Sequence, residues 1–346
     1  MSYKQNQRKC YLDVLRIIAI SAVVMIHISA RYVTKSNTLV NFTIGNIFDS
    51  VSRFGAPLFL MISGALILDE NKEFNCKKKM LSLLIPFLAW SFLYATANTI
   101  VLPILKKESI NIYSFLTSFI EGHYHLWYMW AITGLYLITP ILRKFVKKKN
   151  KKIVAYFIIL SLLFQFTKPI ITLLFNGIDL INNASSTYKY VLENLNLNFL
   201  GGLTTYFLAG WFLANTNFSR RNNTTLYISG AIALISIILL AQIFPDQYNL
   251  VYSNSGLLVF FYSISIFLLV KNLCLERKSS NCFIIGLSNL SFGVYLVHIF
   301  ILAILAYIIP NNPLFIPVIF LITIIASFII SYVMSKIPII KKTIRA

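Results

Sequence analysis

The chain has 346 residues, 58% of them hydrophobic and only 12% charged, with mean hydropathy +0.74 and a formal net charge of +20. A soluble domain of this length carries about twice that charged fraction. Apolar runs of about 20 residues recur from end to end, so a soluble globular enzyme is excluded and the fold class is all-α, a polytopic membrane protein. The alternating pattern of barrel strands is absent.

Ten spans are predicted, near residues 11–31, 44–69, 80–102, 123–142, 153–175, 199–215, 225–244, 254–271, 283–309 and 315–336. They leave no room for a soluble domain, and residues 1–346 read as one integral membrane domain. The first run has the basic flank of a signal peptide. It is longer than an h-region and carries Asp13, Arg16 and His27, so it reads as an uncleaved helix. With a cytoplasmic N-terminus, 23 of the 31 basic residues fall on the cytoplasmic side, and the even span count places both termini there. The net charge is then a topogenic signal with an affinity for anionic lipid, and nucleic acid is not needed to explain it. The multi-pass pattern points to the cell (plasma) membrane.

The first span holds Arg16 and His27, separated by ten residues. Eleven helical steps bring the two side chains to within roughly 20° of one face, about 16 Å apart along the axis. They cannot touch, but both can line one side of a cavity. Ionisable groups inside a membrane helix are costly and mark function by default. The plainer alternative is a snorkelling Arg16 and a satisfied core histidine.

In the second span, Arg53 stands four residues before Pro57 and four after Asp49. Pro57 removes the hydrogen bond to the Arg53 carbonyl. Irregular backbone at membrane depth is tolerated where it is buried in protein or lines a cavity. A kink with an Asp49–Arg53 pair is the structural alternative. Lys77, Lys78 and Lys79 follow in the first cytoplasmic loop, and seven basic residues lie between Arg143 and Lys152. Such clusters ordinarily fix topology or bind lipid. They would also attract the phosphates of a nucleotide-like cofactor.

The fourth span opens with Glu121, His123, His125, Trp127, Tyr128 and Trp130. An interfacial aromatic belt explains the aromatic residues but not the histidines. His-x-His with no further ligand at clear spacing is a weak metal signal, and no metal is expected. A polar outer loop near 176–198 follows the fifth span. The ninth span carries Ser291, Tyr295 and His298 at spacings of four and three, which can share a face. All four cysteines fall on the cytoplasmic side and all four histidines in the outer half. No structural disulfide is expected, and a site biased toward the outer leaflet is.

Six stretches, in order, span nearly the whole chain. They are Leu12 to Ala19 with Arg16 and His27; Arg53-Phe-Gly-Ala-Pro57 through Ser63-Gly64; Lys77 to Trp90; His125-Leu-Trp127; Gly134 to Pro140; and Leu290 to His298. Together they resemble the acyltransferase 3 family of integral membrane acyltransferases. The resemblance implies a ten-helix enzyme that takes an acyl group, commonly acetyl, from cytoplasmic acyl-CoA. It delivers the group to a hydroxyl of an extracytoplasmic glycan or lipid-linked sugar, alongside polysaccharide biosynthesis machinery. It also implies that His27 is the essential catalytic histidine and that Arg16 is essential. The chain departs from peptidoglycan-modifying relatives: it lacks their paired glutamates near the fourth span and has lysines, not arginines, in the first cytoplasmic loop. Both departures resemble the stand-alone subgroup.

On this reading His27, Arg53, Tyr295 and His298 are the catalytic candidates. His27 would act as general base or acyl carrier, with Arg53 or Tyr295 stabilising the oxyanion. Arg16, Lys77, Lys78 and Lys79 would hold acyl-CoA, a co-substrate. His125, Trp127 and Tyr128 would meet the acceptor. The residues alone also fit a transporter or flippase for lipid-linked sugars, although no inverted repeat is visible.

Overall fold

A computed structural model describes residues 9–34, 38–176, 187–188, 190–191, 194–195, 197–274 and 281–344. Among them every regular element is helical. Most of the polar loop predicted near 176–198 lies outside the described residues. So do Lys4, Arg8, Lys35, Lys189, Arg277, Lys278 and Arg345, which entered the charge count.

The first helix, α1, runs over Cys10–Thr34 as one uninterrupted element. The second predicted span is two helices, α2 (Leu39–Ser52) and α3 (Gly55–Ile67), divided at Arg53 and Phe54. This is the break that Pro57 dictates: the ring has no N–H to offer the Arg53 carbonyl. Helix α4 (Cys76–Thr96) continues through a π-helical turn at Ala97–Val101 into a short helix at Leu102–Lys106. Helix α5 (Ile112–Glu121) has no buried residue and lies on α4, Phe92 meeting the rings of Phe115 and Phe119. Helix α6 spans Trp127–Phe145. A second π turn, at Leu162–Phe166, joins α7 (Lys151–Ser161) to α8 (Lys168–Asn176). Then come α9 (Leu203–Ala214), α10 (Arg220–Ile243), α11 (Leu257–Leu273), α12 (Cys282–Ile308) and α13 (Ile316–Lys336). Side-chain caps mark several starts: Thr38, Asn75, Ser219 and Asn281 each accept from a backbone N–H in the first turn.

Among the described residues seven helical stretches are long and apolar enough to cross a membrane, from Cys10–Thr34 to Pro313–Lys336. The remaining three predicted spans coincide with α6, α9 and α11, which do not meet that measure. Helix α9 has 12 residues, about 18 Å of rise. Eight of its residues are buried, so protein rather than lipid surrounds it.

Helix α1 is the hub. It packs against α2, α3, α11, α12 and α13. The tightest approach lies elsewhere, between α3 and α9. A Cβ on Gly64 would stand 1.8 Å from the Phe207 carbonyl oxygen, and one on Gly210 1.9 Å from that of Met61. Small residues let the two backbones touch, which is how helices gain van der Waals contact where lipid is as apolar as they are. The cysteines Cys10, Cys76, Cys274 and Cys282 are all free.

Gly210→Val forces α9 off α3. Overpacking of this kind costs about 2 kcal/mol or more, and the variant should lose its monodisperse elution in detergent or unfold at markedly lower temperature. Gly134, where an added Cβ meets nothing within 4 Å, tolerates alanine; a Gly210→Val protein as stable as Gly134→Ala would show that the contact is not tight.

Candidate functional site

One cavity of about 930 Å³ lies inside the helix assembly, and Arg16 and His27 both line it. Its volume is in the upper part of the range for small-molecule sites. The two residues share a face of α1, as their spacing requires, and the chamber follows that face for three turns.

The end near Arg16 is cationic. Lys72, Lys78 and Lys79 line it with Asn75, and Glu73 is the acid among them. Lys77 is exposed and does not line the chamber. Two steps of 100° separate it from Lys79, so the two cannot face the same cavity from one helix. Arg16 is anchored through Asp13, 3.8 Å away. Asp13 is buried and accepts a 2.7 Å hydrogen bond from the hydroxyl of Ser288 on α12. A buried carboxylate held by a neighbour across the bundle keeps the guanidinium oriented.

Arg143 fixes the rim. Its guanidinium donates to the carbonyls of Ile67 and Lys72 and lies 5.9 Å from the Phe74 ring centroid. It ties the end of α3 to the start of the segment that supplies Lys72 to Asn75.

The other end gathers titratable and aromatic groups from α1, the 3₁₀ turn Tyr124–Leu126 and α12. The four histidines of the chain converge here. Ring centroids lie 5.2 Å apart for His27–His298, 5.5 Å for His125–His298, 6.3 Å for His27–His125 and 5.0 Å for His123–His125. His123 and His125 share a 2.8 Å hydrogen bond between their Nδ1 atoms. Among the described residues no group of three or more His, Cys, Asp or Glu is arranged to hold a metal ion.

His27, His125, Trp127, Tyr128, Ser291 and Tyr295 line the chamber. The Tyr295 hydroxyl donates to the His125 carbonyl at 2.6 Å, tying α12 to the turn before α6. His298 does not reach the wall. It is fully buried against the rings of His27 and His125, which do. Its Nδ1 sits 3.1 Å from the Val294 carbonyl. A carbonyl only accepts, so Nδ1 carries the proton and Nε2 is a bare acceptor without a protein partner.

Arg53 enters from the break between α2 and α3. Its guanidinium pairs with Asp49 and lies 4.0 Å from the Tyr252 ring centroid, while Nε has no partner. Asp49 is fully buried and also accepts from Ser29 at 3.2 Å. The pair predicted at i,i+4 therefore exists, and Arg53 lines the chamber as well. Pairing and lining are compatible because a guanidinium has five N–H donors.

The sequence reading gave no site role to Ser288, Ser63, Tyr136 or Asn254. All four line the chamber. Serine, tyrosine and asparagine are too common in apolar helices for any one to stand out. Asp13 was visible, but its partner lies 275 residues away.

A family described as Acyltransferase domain, acyltransferase 3, matches residues 10–336. No curated protein and no solved structure matches the chain.

Removing one member of a buried ion pair leaves the other charge uncompensated and costs about 3–5 kcal/mol. Asp49→Ala should therefore lower the unfolding temperature of the purified protein sharply, and the double variant Asp49→Ala/Arg53→Leu should recover much of it. Equal midpoints for wild type and Asp49→Ala would mean that the pair contributes nothing.

Proposed function

This chain belongs to the acyltransferase domain family and is a multi-pass membrane acyltransferase, and we propose that it carries an acyl group, acetyl as the first candidate, from acyl-CoA to a glycan hydroxyl. Acyl-CoA enters from the cytoplasm. The acceptor is an extracytoplasmic or lipid-linked sugar at the plasma membrane. The proposal keeps ten spans with both termini cytoplasmic. The observation that carries it is the polarity of one chamber: cations around Arg16 at one end, imidazoles around His27 at the other.

Acyl transfer from a thioester to an alcohol needs a base for the hydroxyl and a donor for the oxyanion. In the proposed sequence His27 takes the proton of the acceptor hydroxyl. The oxygen attacks the thioester carbonyl. Arg53, which lines the chamber, would be the donor to the oxyanion, and Tyr295 would join it only by giving up its hydrogen bond to the His125 carbonyl. The C–S bond then breaks, and the coenzyme thiolate recovers the proton from His27, so no net charge is left in the chamber. Covalent acyl-His27 is the other route open to this geometry. His298 would position His27 from behind. Arg16, Lys78 and Lys79 would hold coenzyme phosphates by charge-assisted hydrogen bonds. Lys77, exposed and outside the chamber, drops from that set. His125, Trp127 and Tyr128 would contact the acceptor. No metal enters the scheme.

A transporter or flippase for lipid-linked sugars also needs a polar cavity and a broken helix. Release of free thiol from acyl-CoA separates the two, because a carrier breaks no thioester.

His27→Ala should reduce thiol release and glycan acylation by about a hundredfold to ten-thousandfold, the range for a lost general base. Arg16→Ala should raise the acyl-CoA KM by about tenfold or more while leaving a saturable rate, as expected for a lost charge-assisted contact of about 1.5–3 kcal/mol. Intact acylation in a His27→Ala strain would overturn the assignment of the base. An unchanged KM in Arg16→Ala would overturn that of the donor site.

A further inference from the structure

A second cavity, of about 460 Å³, lies between the end of α9 and the facing ends of α10 and α11. No residue that lines it lines the chamber. It is on the same side of the molecule as the cationic rim: Lys9, just before α1, interacts electrostatically with both Lys72 and Lys271.

Lys271 lines the cavity although its residue is only 6% exposed. Its ammonium donates to the carbonyls of Leu213 (2.7 Å) and Thr216 (2.8 Å), which leaves a third N–H unassigned. Asn272 donates to the Tyr227 hydroxyl at 2.7 Å, so the Tyr227 proton is also free to be given. Thr216 and Asn223 line the cavity, and their Oγ1 and Oδ1 atoms are buried with no hydrogen-bond partner among the described residues. A buried polar atom left unpaired is costly, and a bound group would relieve it. The Asn223 amide can present either its oxygen or its nitrogen. Arg220 adds a second cation, and among the described residues no carboxylate lines the cavity.

We infer that this cavity is a binding site for a phosphate-type oxyanion, held by Arg220, Lys271, Thr216, Asn223 and Tyr227. Two cations, two neutral donors and an adaptable amide suit a group with several acceptor oxygens and one or two negative charges. The shared chemistry belongs to the head group of an anionic phospholipid and to free phosphate. Exposed Ile228, Leu269 and Leu273 beside the cavity would accommodate acyl chains.

The experiment uses the full chain in neutral detergent and follows the unfolding temperature against short-chain phosphatidylglycerol, short-chain phosphatidylcholine or inorganic phosphate. Lys271 caps α9 through its two carbonyls, so its removal threatens folding. Arg220 is exposed, and Arg220→Gln with Asn223→Asp are the informative variants. Wild type should be stabilised by phosphatidylglycerol and not by phosphatidylcholine. Both variants should need about tenfold more ligand for the same shift, as for one lost charge-assisted hydrogen bond. Lys149→Gln, which does not line the cavity, should titrate like wild type. Stabilisation by inorganic phosphate with the same variant dependence would assign the site to a soluble oxyanion. No shift with either anion, or equal shifts in wild type and both variants, would overturn the site. The readout does not involve acyl transfer, so it is independent of the proposed enzyme activity.

Discussion

A charged or titratable side chain inside an apolar helix assembly has to be paired or has to face a polar cavity, and the polar interior of this protein is arranged around that constraint. Helix α1 meets it in both ways. Asp13 and Arg16 are held near one end by Ser288 from α12. His27, eleven residues on, faces the chamber and the imidazoles of His125 and His298. Between them the helix is apolar and packed, and that packing fixes the separation of the two ends. A hub that touches five other helices cannot tilt or slide without disturbing all of them.

The irregular backbone serves the same arrangement. Division of the second span at Arg53 and Phe54 releases a carbonyl and turns a guanidinium into the chamber. The cost of that charge is met locally by Asp49, Ser29 and the Tyr252 ring. Below it α3 is anchored to α9 through Gly64 and Gly210, where the backbones meet with no side chain between them. The break is therefore flanked by a buried ion pair on one side and a rigid helix contact on the other. At the cationic rim Arg143 plays a comparable part, holding the Ile67 and Lys72 carbonyls where the lining segment begins.

The two cavities divide the basic residues by place. Lys78 and Lys79 join Arg16 at the chamber, whereas Lys271 and Arg220 face a separate cavity. Lys77 and many other basic residues are exposed. Lys271 stands apart from the exposed Lys78 and Arg220, being 6% exposed with two carbonyl acceptors.

The sequence by itself determined the class of the protein, the positions of nearly all its helices and the shared face of Arg16 and His27. Hydropathy and the 100° helical step are local properties, and they survive without knowledge of neighbours. The Asp49–Arg53 pair and the division before Pro57 were legible for the same reason. Only the tertiary structure decided that four histidines from three distant stretches meet within a few ångströms, that His298 stands behind the wall while Tyr295 forms it, and that Lys77 turns away. It also decided the partnership of Asp13 with Ser288 and the existence of the second cavity. Periodicity states which residues of one helix look the same way. It does not state which helix they will meet, because that depends on how all the apolar faces are satisfied together.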